Sequence, residues 1–175
     1  MFEKFRANRT RLFMAGTALA LLAGTVIGWT TVFGEVERYC DDQGTGLGGL
    51  IRLSGEGNVT NPLLAPCFWG SVAFVIALAW ALYVLFDNQP QKRRKSIRGL
   101  WWLLLGGTVF AFVNNLPVFL DFYTKPKGTV TGCSPDAITS PFLTGCFGGF
   151  ASFAAALVFV SLALWSIRRL KKKHG

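Results

Sequence analysis

Four apolar stretches, Leu12 to Phe33, Phe68 to Phe86, Leu100 to Leu120 and Phe147 to Ile167, contain no Lys or Arg. Each supplies about the 20 residues that a helix needs to cross a bilayer. Inside lipid, backbone N–H and C=O groups must be satisfied within the chain, so stretches of this kind fold as helices. Half of the residues (51%) are hydrophobic and 15% charged, a balance too apolar for an ordinary soluble domain. The reading is an all-α, integral membrane four-helix bundle.

The basic residues orient it. Lys4, Arg6, Arg9 and Arg11 precede the first stretch, Lys92, Arg93, Arg94, Lys95 and Arg98 join the second to the third, and Arg168, Arg169, Lys171, Lys172 and Lys173 follow the fourth. Cytoplasmic segments carry such an excess, so both termini and the 87–99 loop are expected in the cytoplasm and the 34–67 and 121–146 loops outside. Arg38, Arg52, Lys125 and Lys127 in the outer loops are outnumbered there by Glu35, Glu37, Asp41, Asp42, Glu56, Asp121 and Asp136. A multi-pass place in the plasma (inner) membrane follows as an expectation. The net charge of +9 flanks spans instead of forming one basic face with interleaved aromatics, which argues for lipid headgroups and against nucleic acid as its partner. The basic start and Ala18-Leu19-Ala20 also fit a signal peptide loosely, but the apolar run outlasts an ordinary h-region.

The second and fourth stretches are related. Pro62, Leu64, Cys67, Phe68, Gly70, Phe74, Ala77, Leu78 and Leu85 recur at one constant offset as Pro141, Leu143, Cys146, Phe147, Gly149, Phe153, Ala156, Leu157 and Leu164. Gly24-Thr25-Val26 matches Gly107-Thr108-Val109 more weakly. The chain therefore reads as two tandem two-span hairpins, residues 1–91 (spans about 12–33 and 68–86) and 92–175 (spans about 100–120 and 147–167), forming one membrane domain. Parallel repeats of this kind can be related by an axis along the membrane normal. Gly16, Ala20, Gly24 and Gly28, with Ala73, Ala77 and Ala81, form small-residue ladders that let helices approach closely. Trp29 and Trp69 near one interface, and Tyr83, Trp101, Trp102 and Trp165 near the other, suit an aromatic belt.

All four cysteines fall in or at the outer loops: Cys40 and Cys67 in the first, Cys133 and Cys146 in the second. An oxidising compartment favours disulfides. The loop-local pairing, Cys40 with Cys67 and Cys133 with Cys146, would pin each loop, one of three connectivities that four cysteines allow. A redox role is the alternative. Disulfide-generating membrane enzymes of the quinone-coupled type have four spans, similar length and a cysteine pair in each outer loop, and this chain resembles them in topology. That resemblance implies a thiol–disulfide oxidoreductase with a quinone acceptor, the one cofactor any reading requires. The chain lacks their CxxC spacing, and Asp41 and Asp42 disfavour a thiolate at Cys40. Cys67 and Cys146 stand at predicted helix N-termini, where the dipole favours negative charge.

A second candidate feature is polar. Asn114-Asn115-Leu116-Pro117 interrupts the outer part of the third stretch, Asp121 lies a turn beyond, and Thr30, Thr31 and Glu35 stand at the matching level of the first. Pro117 leaves the carbonyl of Val113 without its helical donor, a need that an Asn side chain can meet. Together these six residues suggest a polar pocket between the repeats. The Gly-rich segment 44–57 lacks the GK[ST] of a phosphate loop, and no acid-base pair, metal cluster or nucleophile constellation lies within the spans. The leading functional expectation is a non-enzymatic interaction, scaffold or accessory subunit that meets a membrane-protein partner or a second copy through disulfide-stabilised outer loops. A thiol–disulfide oxidoreductase comes next, and a small-molecule carrier or channel after it.

Overall fold

A computed structural model describes residues 2–43, 63, 65–87, 89–126 and 140–171. Four helices make up the described chain: α1 (Phe2–Gln43), α2 (Pro66–Phe86), α3 (Pro90–Thr124) and α4 (Gly145–Lys171), the last preceded by a short 3-10 turn at Pro141–Leu143. All four contain segments long and apolar enough to cross a membrane: Arg9–Glu37, Pro66–Phe86, Lys92–Thr124 and Gly145–Ile167. Their lipid-facing character shows in what stays uncovered. Leu19, Val26, Ile76, Phe112, Val113 and Val158 are all exposed, an apolar surface that water would not tolerate on this scale and a bilayer does. The protein is a multi-pass membrane protein.

Each helix lies beside its neighbour in sequence, and α1 also packs against α4, closing a ring. Neighbours run antiparallel: Gly24 and Gly28 of α1 meet Phe74 and Ser71 of α2, while Thr31 near the end of α1 meets Gly145 at the start of α4. The α2–α3 connection is short because local chemistry closes it. Asp87 N–H donates to the Tyr83 carbonyl, Gln89 N–H donates to the Asp87 carboxylate at 2.9 Å, and Pro90 starts α3 where its missing N–H costs nothing. At α4 the Thr144 hydroxyl accepts from Phe147 N–H at 3.2 Å, an N-cap that fixes the start of the helix one residue before Cys146.

The core contains Met14, Leu21, Phe74, Ala77, Ala81, Val84, Ile97, Leu100, Leu104, Phe153, Ala156, Val160 and Ala163. Lipid is as apolar as these side chains, so their association rests on close packing and on hydrogen bonds between helices more than on hydrophobic burial. Phe74 and Phe153 stack at the centre with centroids 3.9 Å apart and planes 19° apart. The stack fits only because a Cβ is missing on either side: one at Gly24 would collide with the Phe74 ring, and one at Gly107 with the Phe153 ring. Three polar links add to this packing: Thr10 to Ser166 at 3.0 Å between hydroxyls, Trp101 Nε1–H to Ser161 Oγ at 2.9 Å, and Asn115 Nδ2–H to the Cys146 carbonyl at 3.1 Å.

Two helices run farther than hydropathy marks. The first span, expected to end at Phe33, continues as helix through Cys40 to Gln43, since Gly34 is followed by residues compatible with helix and not by a breaker. α3 passes unbroken through Pro117 to Thr124, so Asn114-Asn115-Leu116-Pro117 does not interrupt it. Nor do the amides go to Val113: Asn114 Nδ2–H donates to the Phe110 carbonyl and Asn115 Nδ2–H to that of Ala111, both at 2.8 Å. Trp69, Tyr83, Trp102 and Trp165 are exposed as belt residues would be, whereas Trp101 is half-buried and bridges α3 to α4.

Candidate functional site

The helix starts that carry Cys67 and Cys146 come together at one end of the bundle, here termed the cysteine end. Pro66 at the first position of α2 and Thr144 capping α4 place each cysteine on the first turn of its helix. Their Sγ atoms lie 3.2 Å apart. A disulfide measures about 2.05 Å, so these two sulfurs touch without being bonded to each other. The contact joins the two halves of the chain, across residues 79 apart in sequence. The loop-local pairing involves Cys133 and the side chain of Cys40, which lie outside the described residues.

Beneath the sulfurs is a cavity of about 130 Å³ to which all four helices contribute: Gly28 and Thr31 from α1, the Pro66 to Phe74 segment from α2, Phe110 to Asn115 from α3, and Gly145 to Phe153 from α4. The Phe74–Phe153 stack borders it on one side, and Phe110 and Phe150 line it farther out. Its polar groups are few and mostly spent. Thr31 and Ser71 hydroxyls donate back to the carbonyls of Ile27 and Cys67, each at 2.9 Å. Asn115, 5% exposed, gives its amide nitrogen to two carbonyls, Ala111 and Cys146, and leaves Oδ1 buried without a hydrogen-bond partner. The amide orientation is dictated by this environment, because the flipped form would set an oxygen against two carbonyl oxygens.

Of the six residues expected in a polar pocket, Thr31, Asn114 and Asn115 line the cavity. The other three lie elsewhere. Thr30 is exposed and donates to the Ile27 carbonyl, Glu35 is half-buried higher on α1, and Asp121 is exposed and pairs with Lys125 at 2.7 Å, one turn along α3. The cavity is thus mainly aromatic, with one unmet acceptor. Sequence reasoning missed Ser71 and the paired phenylalanines as lining residues. The signal was present, since Phe74 and Phe153 recur at the same offset as the cysteines and each faces a glycine of the preceding helix. Among the described residues no group of three or more His, Cys, Asp or Glu side chains could hold a metal ion.

The arrangement brings two sulfur atoms, one from each half, to the mouth of an aromatic cavity. Compared with protein-family models, curated proteins and solved structures, the chain matches none.

Proposed function

We propose that this protein carries out thiol–disulfide exchange at the outer face of the plasma membrane, passing electrons between its two hairpin repeats through Cys67 and Cys146. The observation that carries this reading is the 3.2 Å contact between those sulfurs. Two staples serving separate loops have no need to meet, whereas exchange proceeds by attack of one sulfur on another. In the proposed step Cys67, as thiolate, attacks Cys146 of an oxidised Cys133–Cys146 pair. A Cys67–Cys146 bond forms and Cys133 departs as thiolate, taking up a proton. Cys40 then attacks Cys67 and releases Cys146, so that two electrons have moved from the first pair to the second. The reverse sequence moves them back. Outside dithiols and disulfides load and unload the pairs by the same chemistry.

Several features support the duplicated architecture on which this depends. Gly24 packs on Phe74 as Gly107 packs on Phe153, and Thr25 and Thr108 donate alike to the carbonyls of Leu21 and Leu104. Placement of the cysteines outside rests on the positive-inside distribution. The test is acid-trapped disulfide mapping of a Cys40→Ser variant in membranes. Lacking the resolving thiol, it should accumulate the Cys67–Cys146 linkage, which Cys40→Ser with Cys146→Ser cannot form; absence of that linkage from the single variant rejects the relay.

One observation favours a second reading, an accessory subunit that meets a membrane-protein partner or a second copy. Asn114 is exposed on α3 among uncovered Phe112, Val113 and Leu116, and an amide at membrane depth is better placed against protein than against lipid. Quantitative pull-down in mild detergent should then return a stoichiometric partner, and a solitary protein with measurable turnover refutes it.

A further inference from the structure

We infer that the groove between α3 and α4, at the end of the bundle opposite the cysteines, binds one anionic phospholipid, its phosphate on Arg98 and an acyl chain along Leu157, Val158 and Leu162. The inference is independent of thiol exchange, because the groove begins about three turns along α4 from Cys146 and none of its lining residues is a cysteine.

The groove follows from how the two helices meet. Trp101 Nε1–H donates to Ser161 Oγ at 2.9 Å, and the Ser161 hydroxyl donates in turn to the Leu157 carbonyl, so the Trp101 indole bridges α3 to α4 within the groove. Trp102 packs edge-on against Trp101 with centroids 4.8 Å apart and stays exposed, as does Trp165 on the α4 side. Tryptophan collects at the headgroup level of a bilayer, its ring in apolar surroundings and its N–H near polar ones. Three indoles around one groove set it at that level. Depth then orders the other residues. The helices run antiparallel, so Arg98 lies about one turn from the α3 tryptophans toward the end of the bundle, while Leu157 and Val158 lie about two turns from Trp165 toward its middle. A cation at the end and hydrocarbon toward the middle match the polarity of a phospholipid.

Charge selects the headgroup. From Pro90 to Leu120 and from Gly145 to Lys171 neither helix contains an Asp or Glu, while α3 carries Lys92, Arg93, Arg94, Lys95 and Arg98 and α4 ends in Arg168, Arg169 and Lys171. Arg94 stands four residues before Arg98 and therefore on the same face of α3. Arg98 is exposed and pairs with no acid among the described residues. Its guanidinium presents a planar fork of donors that fits two phosphate oxygens. A zwitterionic lipid would bring its own cation into this surplus of positive charge; a lipid of net negative charge does not. Basic pockets between membrane helices hold anionic headgroups for this reason. A second copy seated here about an axis along the membrane normal would instead set one basic surface against another like it.

The experiment is native mass spectrometry of the full chain released from detergent micelles, titrated with phosphatidylglycerol or phosphatidylcholine of identical acyl chains. The first phosphatidylglycerol should bind about tenfold more tightly than the first phosphatidylcholine, in line with hydrogen bonds to a charged group. Arg98→Gln, at an exposed position, should remove most of that preference. Lys92→Gln takes the same charge from the same helix at an exposed position about 120° around its axis, and should keep the preference. Val158→Trp, which fills the groove from an exposed position, should weaken both lipids alike. Equal affinity of the wild type for the two lipids overturns the inference. So does an equal loss in Arg98→Gln and Lys92→Gln, which would mean diffuse attraction to the whole basic segment. Binding indifferent to Val158→Trp would remove the acyl chain from the groove, and a dimer in place of the lipid adduct would give the groove to a second copy; either result overturns it as well.

Discussion

Two adjacent glycines of α3 give a measurement of how tightly the centre of the bundle is packed. A Cβ added at Gly107 would lie 2.8 Å from Cε1 and 3.0 Å from Cδ1 of Phe153, closer than real Cβ contacts come. The ring has little freedom to retreat, because its other face stacks on Phe74 at 3.9 Å, and Phe74 in turn fills the space over Gly24. A Cβ at Gly106 meets nothing within 4 Å. Both Gly→Ala changes gain the same helix propensity, at most about 1 kcal/mol, so that term cancels when the two variants are compared. What remains is the overpacking at Gly107, about 1–3 kcal/mol. Reversible unfolding in mixed micelles, followed by far-UV circular dichroism, should place Gly107→Ala below Gly106→Ala by that amount. Equal stability for the two would mean that the Phe74–Phe153 stack is loose, and the account of the core would fail with it.

Other substitutions probe single contacts. Ser161→Ala leaves Trp101 Nε1–H without its acceptor between α3 and α4 and should cost about 0.6–1.7 kcal/mol, the range for such bonds inside membranes; the same unfolding assay reads it. A double-mutant cycle on Thr10→Val and Ser166→Ala should show a coupling of about 0.6 kcal/mol across α1 and α4. Lys125→Ala should be nearly silent, below about 0.5 kcal/mol, since its pair with Asp121 is exposed on both sides. Replacing Lys92, Arg93, Arg94, Lys95 and Arg98 with Gln should produce a fraction of molecules in mixed orientation, seen by protease accessibility of tagged termini, because the positive-inside bias would be lost at the central connection.

How far the sequence reaches can be judged residue by residue. The four helices are legible because an apolar run of about 20 residues has one structural outcome in lipid. Their ends are less legible: the unbroken apolar run stops at Phe33, but helical backbone continues through Glu35 and Glu37, charged residues that end the run without ending the helix. Pro117 misleads in a similar way. It removes one donor, yet α3 continues past it, since a helix held by its neighbours tolerates the loss of one bond. The pocket was half legible. Asn114 and Asn115 are conspicuous as polar residues in an apolar run, but which of two adjacent residues turns inward depends on helix phase, and only Asn115 is buried. Thr30 and Asp121 lie at a suitable depth on faces that point elsewhere. Least legible was the meeting of Cys67 with Cys146. Spacing within each loop favours local partners, and the contact arises from the ring closure of α1, α2 and α4, which no local pattern encodes.

The most direct test of the proposed exchange is disulfide mapping of the wild-type protein by mass spectrometry, on membranes acid-quenched and alkylated straight from growing cells. The relay predicts a fraction of chains linked Cys67 to Cys146 that rises or falls when oxidant or reductant is added before the quench. Full and unvarying oxidation as Cys40 with Cys67 and Cys133 with Cys146 would contradict it and would make both bridges staples of the loops that carry them.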